Sequence, residues 1–297
     1  MIKKLFFASC LAFSFVALAQ QQDSVLIKRN LQEVKVNALR ATSLTPMSFT
    51  NISKEELEEQ NLGQDLPFLL SFTPSLVTTS DAGAGVGYTG FRVRGSDPTR
   101  VNVTINGIPL NDSESHGVFW VNMPDFSSSI ENIQIQRGVG TSTNGAGAFG
   151  ASINLVTDRL RSKAYASTSN TVGSYGTLKN NVEFGTGLIN NRFTVDARLS
   201  RIESDGYIDR ATSDLKSFYL SGGYYGEDES LKLTIFSGKE VTFQAWNGVP
   251  LSYLDNDSLR TFNIYDYDNE VDNYVQTHYH LNYTKQLKED ETFHLGL

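Results

Sequence analysis

Cysteine is almost absent from this sequence, and its absence limits the chemistry available to the protein. The one cysteine among 297 residues, Cys10, lies inside an N-terminal segment that has the features of a secretory signal. That segment has a lysine-bearing start, an apolar stretch over Leu5–Val16 and an Ala-x-Ala cleavage site that ends at Ala19. We therefore predict a signal peptide over residues 1–19. The mature chain is then expected to contain no disulfide and to offer no thiol chemistry.

Long apolar runs are also missing after this signal. No later segment reaches the ~18 consecutive apolar residues that a membrane-spanning helix needs. An exported chain of this kind is expected in the periplasm, outside the cell, or in an outer membrane as a β-barrel. The aromatic fraction of 11%, with 13 Tyr and 18 Phe, suits an outer-membrane barrel. A secreted all-β domain fits the same composition.

Excess positive charge is missing as well. The net charge is −8 and the isoelectric point is about 5.1. Because nucleic-acid binding depends mainly on basic contacts to phosphates, this balance argues against a nucleic-acid partner.

Enzyme motifs are equally scarce. The sequence contains no nucleophile elbow, no HExxH and no CxxC. Gly145–Gly150 matches the GxGxxG pattern, but an alternating segment over Ser152–Val156 follows it instead of the helix that a dinucleotide site requires. We predict no enzymatic activity and no bound cofactor.

Residues 39–158 show the mixed signals of a small α+β domain. Ser53 and Glu56 form a capping box that predicts a helix ending near Asn61. A second helix is predicted over Gln64–Leu70. Four strands are predicted, over Phe91–Arg94, Val101–Ile105, Glu131–Arg137 and Ser152–Thr157.

Beyond Asp158 the helical signals disappear and long alternating segments begin. In Phe193–Ser200 and again in Val275–Thr284, apolar and polar residues alternate over ~10 positions, which is typical of transmembrane barrel strands. Soluble sandwiches also alternate, but their strands are usually about 5–6 residues long.

The connections between these segments alternate in length. Tight connections are predicted at 187–191, 226–230 and 288–291, and long ones at 203–214 and 242–274. Barrels with short periplasmic turns and long external loops show this alternation. The first connection, at 173–176, is shorter than expected for an external loop.

Four motifs between residues 88 and 158 occur in a specific order. They are RVRG at Arg92–Gly95, VTINGIPL at Val103–Leu110, IENIQIQRG at Ile130–Gly138 and NGAGAFGASINLVT at Asn144–Thr157. In this order and spacing they closely resemble the plug domain of TonB-dependent outer-membrane receptors. The resemblance implies an α+β plug over residues 39–158, followed over 159–297 by the first strands of an antiparallel transmembrane β-barrel.

The predicted barrel is incomplete. About seven strands are predicted, whereas a plugged outer-membrane transporter has about 22. We therefore interpret the sequence as the N-terminal part of a longer receptor in the outer-membrane lipid.

The family resemblance also implies partners. The tail over residues 20–38 contains a short alternating segment that resembles the TonB box, through which the family contacts the TonB energy-transducing complex. Its residues are Leu31, Gln32, Glu33, Val34, Lys35 and Val36. The usual cargo of the family is a ferric siderophore, and haem, cobalamin or an oligosaccharide are the alternatives. A secreted β-rich adhesin or binding module without transport is the rival hypothesis.

Candidate ligand-binding residues are His116, in a polar plug loop, and Trp246, in the longest external loop. The carboxylates beside His116 could ligate a metal, although an ordinary polar loop is the favoured interpretation.

Two further pairs concern the barrel lumen. Arg92 and Arg94 share one strand face and are predicted to contact lumen carboxylates such as Glu183 or Asp196. The surface is the alternative location for the two arginines. His278 and His280 share the lumen face of their strand, where solvation is favoured over a ligand or metal. His278 and His280 are thus also candidate ligand-binding or metal-binding residues.

Overall fold

The structure is a computed structural model that describes residues 40–140, 147–157, 160–288 and 291–297. The predicted signal peptide and the segment Leu31–Val36 lie outside these ranges. Within them, no helix is both long and apolar enough to cross a bilayer.

The plug, residues 40–157 of the described chain, contains a five-stranded sheet and two short helices. The strand order is β1-β6-β7-β4-β5, with β4 and β7 parallel and the other pairs antiparallel, and β2 and β3 form a separate hairpin. The helices are α1 (Lys54–Gln60) and α2 (Leu66–Leu69). The strands are β1 (Ser48–Ser53), β2 (Leu76–Ser80), β3 (Thr89–Val93), β4 (Val101–Ile105), β5 (Ile108–Pro109), β6 (Asn132–Arg137) and β7 (Ala151–Val156).

The capping box predicted for α1 is present. The backbone N–H of Ser53 donates to Glu56 Oε2 over 2.7 Å, and the Glu56 N–H donates back to Ser53 Oγ over 3.4 Å. Acidic residues in the first turn also favour a helix that begins here, because they complement its dipole. The second helix is shorter than predicted and occupies only Leu66–Leu69.

The core of the plug lies under its central strands. Ile133 and Ile135 on β6, and Ile153 and Leu155 on β7, are fully buried. The apolar residues of the helices, including Leu57 and Leu70, pack into the same cluster. Because side chains alternate across a strand, these positions form one apolar face, as in any soluble domain.

The wall is a seven-stranded antiparallel sheet in which each strand pairs with its neighbours in sequence. Strands β10 to β13 are 12 to 18 residues long, well beyond the length typical of sandwich strands. The strands are β8 (Tyr165–Val172), β9 (Leu178–Gly185), β10 (Phe193–Ser204), β11 (Ser213–Tyr225), β12 (Glu229–Phe243), β13 (Val271–Lys288) and β14 (Glu291–Gly296).

The predicted alternation along the wall is confirmed. On β10, Leu199 is 60% exposed while its neighbour Arg198 is 2% exposed. On β13, Tyr279 is 68% exposed while His280 is 5% exposed. The wall therefore has an apolar outer face and a polar inner face, and the plug packs against the inner one.

The connections between wall strands follow the predicted pattern only in part. Those after β9, β11 and β13 lie at one edge of the wall, and those after β8, β10 and β12 lie at the opposite edge. At the opposite edge 244–270 is long, but 205–212 is only one residue longer than 186–192, and 173–177 is shorter than 186–192. The edge that carries the long connections 205–212 and 244–270 also receives the plug loop 81–88, because the N–H groups of Tyr207 and Ile208 both donate to the carbonyl oxygen of Ala82.

Candidate functional site

The seam between the plug and the wall is organised around one plug carboxylate, Asp125. This residue precedes a short 3-10 turn, Phe126–Ser129, and has a left-handed backbone with φ of 52°. Asp tolerates this conformation better than most residues. The turn places the carboxylate, which has no exposed surface, directly against the inner face of β9 and β10.

Four wall side chains converge on Asp125. Lys179 Nζ lies 2.7 Å from Oδ1, and Arg198 Nη1 lies 3.3 Å from Oδ2. Asn181 Nδ2 and Ser200 Oγ donate to Oδ2 over 2.6 and 2.7 Å. One buried anion thus holds two cations and two neutral donors of the wall.

The plug adds donors of its own to the same carboxylate. Ser128 Oγ donates to Asp125 Oδ1 over 2.6 Å, and Asn61 Nδ2 does so over 3.3 Å. Burial alone would raise the pKa of Asp125, but Arg198 and Lys179 outweigh it and hold the pKa well below its usual range. The carboxylate is therefore ionised at any physiological pH.

An aromatic contact and a glycine complete this side of the seam. Phe126 of the plug lies 4.9 Å from Phe236 of β12, measured between ring centroids. The Asn122 carbonyl sits against Gly238 so closely that a Cβ at position 238 would overlap it. Plug backbone and wall backbone therefore touch at a point where only glycine fits.

A small polar cleft, partly open to solvent, adjoins this network. Glu183 and Asp196 line it from the wall, and Lys54 and Glu131 line it from the plug. Lys54 Nζ lies 3.1 Å from Glu131 Oε1, and Tyr165 Oη donates to Asp196 Oδ1 over 3.0 Å. The cleft gives this part of the seam a charged lining.

The plug loop 81–88 meets the long connections at the opposite edge. Tyr88 donates its hydroxyl to Asp272 at the start of β13, and its ring lies edge-on to Trp246 with centroids 5.4 Å apart. Burial and the Asp272 carboxylate raise the pKa of the Tyr88 hydroxyl. The glycines of the loop permit this fit, since a Cβ on Gly87 would come within 2.7 Å of Ser213 Oγ.

Asp65 lies beneath this loop and is almost entirely buried. Thr89 Oγ1 donates to Asp65 Oδ2 over 2.9 Å, whereas Oδ1 has no hydrogen-bond partner among the described residues. Burial raises the pKa of Asp65 to about 8. The outer end of the seam therefore contains an acid that is protonated at neutral pH.

The structure separates the two predicted ligand-binding residues. Trp246 is half-exposed beside Tyr88 and contacts Tyr265, with ring centroids 6.2 Å apart. His116 lies in the exposed turn between Asn111 and Gly117, whose polar groups hydrogen-bond to one another. Trp246 thus lies where the connection 244–270 meets the plug loop 81–88.

The partners predicted for Arg92 and Arg94 need correction. Arg92 Nη1 lies 3.4 Å from Asp97 within the plug, and Arg94 Nη1 donates to the Arg137 carbonyl over 3.4 Å. Glu183 and Asp196 do face the plug, but they line the cleft beside Lys54 and not beside these arginines. The reason is local: the apolar residues Phe91 and Val93 of β3 are buried in the plug core, which leaves Arg92 between them exposed.

Asp125 and Lys179 were not among the predicted site residues. Lys179 alternates with exposed apolar neighbours on β9, so its position on an inner face was available from the pattern. Asp125 occurs in an irregular segment, where no sequence period indicates burial. Within the described ranges, no group of three or more His, Cys, Asp or Glu side chains is arranged to hold a metal ion.

The described chain thus combines an α+β plug with an antiparallel wall whose polar inner face contacts the plug through buried charges. Residues 41–152 match the family described as TonB-dependent Receptor Plug Domain. The resemblance of the sequence motifs to this plug domain is therefore confirmed.

Known proteins agree with this assignment. The "Probable TonB-dependent siderophore receptor PirA" of Acinetobacter baumannii is 22% identical over 175 residues, which make up 54% of this chain and 23% of that protein. The ferric-catecholate import receptor Fiu from E. coli K12 in its open form matches with a TM-score of 0.68 at 17% identity, covering 84% of this chain and 37% of Fiu. FpvA of P. aeruginosa matches with a TM-score of 0.66 at 15% identity, covering 83% of this chain and 32% of FpvA. The fold is thus shared, and this chain spans well under half the length of each.

Proposed function

We propose that this chain belongs to a receptor that imports a scarce extracellular ligand across the outer membrane by displacement of its plug. The ligand would bind at the outer end of the seam, near Tyr88 and Trp246. Pulling on the tail from the periplasm would then unseat the plug. The proposed cargo is a ferric siderophore, which is supported by the similarity to PirA, a probable siderophore receptor, and to Fiu, a ferric-catecholate import receptor.

The observation that carries this proposal is the concentration of plug–wall contacts on Asp125. Its ion pairs and hydrogen bonds reach Lys179, Asn181, Arg198 and Ser200, all on two adjacent strands. A small rotation of one short turn would break all of these contacts together. The neighbouring polar cleft would supply water to the separated groups, which lowers the cost of exposing them.

The proposed contact with the TonB energy-transducing complex is the tail segment Leu31–Val36. Extended peptides bind by adding a strand to an exposed sheet edge, and main-chain hydrogen bonds supply the affinity. Such a mode tolerates varied side chains, which suits a segment with only a loose alternation of apolar residues.

The test is Val34→Pro in the full-length receptor, with Asp23→Pro as a matched control in the same tail. Proline removes a backbone N–H and so deletes a ladder hydrogen bond from an added strand. We expect Val34→Pro to abolish energised uptake of radioactive iron given as a siderophore complex. Binding of that complex at the cell surface, and the amount of receptor in the outer membrane, should stay at wild-type levels.

Import at the wild-type rate by Val34→Pro would remove the coupling role from this segment. Equal loss of uptake in Asp23→Pro would assign the effect to the tail as a whole. Recovery of the protein in the medium instead of the outer-membrane fraction would favour the secreted adhesin, which the family match does not favour.

A further inference from the structure

Two of the four histidines in the chain lie side by side on the inner face of β13. His278 and His280 are two residues apart, so both point to the same side of the strand. Their ring centroids are 5.9 Å apart and their planes are inclined by 80°. His280 is buried and His278 is half-buried.

The polar atoms of this pair are buried without partners. His278 Nε2 and His280 Nδ1 make no hydrogen bond in the described structure, and neither do Asn282 Oδ1 and Nδ2 or Thr234 Oγ1. These residues are neighbours, since Asn282 is the next inward-facing residue on β13 and Thr234 is paired with His280. Buried polar groups are nearly always satisfied, so these five neighbouring atoms make this part of the inner face a candidate for binding a polar ligand or an ion.

The surrounding contacts fix the rings without using these nitrogens. Phe236 stacks on His278 with centroids 4.6 Å apart and planes 12° apart, and it meets His280 edge-on at 5.2 Å. The imidazole rings are therefore packed against Phe236, while His278 Nε2 and His280 Nδ1 stay available. Preorganised side chains of this kind lose little conformational entropy when they bind a ligand.

The spacing of the rings suits one shared ion. A metal bound at ~2.1 Å from a ring nitrogen lies roughly 3 Å from that ring's centroid. Two rings that share an ion can therefore have centroids up to roughly 6 Å apart, which the observed separation satisfies. Imidazole nitrogens select zinc, copper and nickel over magnesium and calcium, and copper binds most tightly to a given nitrogen and oxygen set.

The plug approaches this position from the other side. Its turn Trp120–Asn122 packs against β12 and β13, and Asn122 Oδ1 is also buried without a partner. The Asn122 carbonyl touches Gly238, whose partner Gln276 is the inward-facing position just before His278. The plug turn Trp120–Asn122 therefore lies close to the wall position that precedes the two histidines.

We propose that His278 and His280, completed by the Asn282 side chain, form a binding site for one divalent transition-metal ion at the seam between wall and plug. The three side chains of the site all belong to β13, and the site is separate from the cargo proposed above. It contains only two imidazoles and no carboxylate, so moderate affinity and a preference for Cu²⁺ are expected.

The experiment uses the full-length receptor, purified in detergent and stripped of metal by a chelator. Cu²⁺ is titrated in, and bound copper is followed by electron paramagnetic resonance, which reports nitrogen ligation. We expect one nitrogen-ligated Cu²⁺ per chain. His278→Gln and His280→Gln should each weaken binding by about 10-fold to 100-fold or more, at least the effect of losing an outer-shell partner.

The matched controls are His116→Gln, in an exposed plug loop, and His294→Gln, on β14. Both should bind copper as the wild type does. Unchanged affinity in His278→Gln and His280→Gln, or equal losses in the controls, would overturn the proposal. Heat-modifiable migration on gels verifies that each variant is assembled.

A second measurement needs no variant. Diethylpyrocarbonate modifies accessible histidines, and mass spectrometry locates the products. Cu²⁺ should protect His278 and His280 in the wild-type receptor while His116 remains reactive. Identical modification with and without Cu²⁺ would contradict the site even if the variants failed to assemble.

Discussion

The plug and the wall obey the same alternation and reach opposite results. On β6 and β7 of the plug, the apolar members of the alternation, such as Ile133 and Ile153, are fully buried. On β10 of the wall, the apolar member Leu199 is exposed and the cation Arg198 is buried. Since strand geometry is identical in both, the difference lies in what covers each sheet: protein covers both faces of β6 and β7, whereas the outer face of the wall is left uncovered, as in sheets that face lipid.

The comparison explains why charges take part in the contact between plug and wall. The inner face is largely polar, so ion pairs and hydrogen bonds at Asp125 add to the apolar contacts that Tyr219 and Phe236 make with the plug core. Ion pairs of this kind contribute little net stability when formed but cost much when one partner is removed. A seam that relies partly on them is specific and yet separable, which the proposed displacement of the plug requires.

The largest effect is expected from the residue that joins the two regions. Asp125→Asn keeps the shape of the side chain but leaves the Lys179 and Arg198 cations buried without their anion. Breaking a buried ion pair in this way costs about 3–5 kcal/mol. We expect the plug of the variant to exchange amide hydrogens faster in the full-length receptor, with the difference measured by mass spectrometry.

The control for this variant is Asp112→Asn, at an exposed plug carboxylate whose partners are backbone N–H groups of its own loop. Its plug should exchange like the wild type. Equal exchange in Asp125→Asn and the wild type would show that the charge network does not hold the seam.

A smaller effect is expected from placing a charged side chain on the apolar outer face of the wall. Val195 is on the outer face and Asp196 on the inner face of β10. An arginine facing lipid at mid-bilayer costs about 2–4 kcal/mol. Val195→Arg should therefore reduce the amount of assembled, heat-modifiable receptor far more than Asp196→Asn. If both variants assembled equally, the outer face of β10 would not be a lipid face.

The protonated acid at the outer end of the seam gives a pH-dependent effect. The pKa of Asp65 rises from 3.8 in the unfolded chain to about 8 in the folded plug because of burial. The folded state thus binds the extra proton, so stability falls as the pH rises from about 4 to about 8. Asp65→Asn should raise the thermal unfolding temperature at pH 8 and change it little at pH 4.

Glu59→Gln supplies the comparison for Asp65, because Glu59 is an exposed acid on α1. Glu59→Gln should change the thermal unfolding temperature only slightly, and by the same amount at pH 4 and at pH 8. A stabilisation by Asp65→Asn that is the same at pH 4 and pH 8 would contradict the elevated pKa.

Most of the architecture was predictable from two sequence signals. These are the alternation of apolar and polar residues along strands and the capping residues at helix starts. The β4 boundaries agree with the prediction at Val101–Ile105, and the capping box at Ser53 located α1. The strand β1, by contrast, was missed. Its residues, Ser48–Ser53, are mostly polar and half-exposed, so no apolar alternation marks them and only the pairing with β6 makes them a strand.

The site was less predictable than the fold because it depends on long-range contact. The alternation assigned Asp196 and Arg198 to the inner face correctly. It could not show that Asp125, in an irregular segment more than 50 residues away, would meet Lys179 and Arg198. It also could not show that Arg92 would lie beside Asp97 instead of the wall carboxylates, since the packing of β3 is set by the whole plug.

The smallest effect is expected from a tag that reports which edge of the wall faces outward. Inserting this tag should leave the stability of the protein unchanged. The connection 244–270 lies at the same edge as the plug loop 81–88, because Trp246 contacts Tyr88. Asn256 is exposed near its centre, while Asp228 is exposed in a short connection at the opposite edge. A protease-cleavable tag at Asn256 should be cut on intact cells, because long connections of such walls face outward. The same tag at Asp228 should be cut only after the outer membrane is permeabilised. The reverse result would show that the wall has the opposite orientation in the membrane. The Tyr88–Trp246 contact would then lie on the periplasmic side, where an extracellular ligand could not reach it.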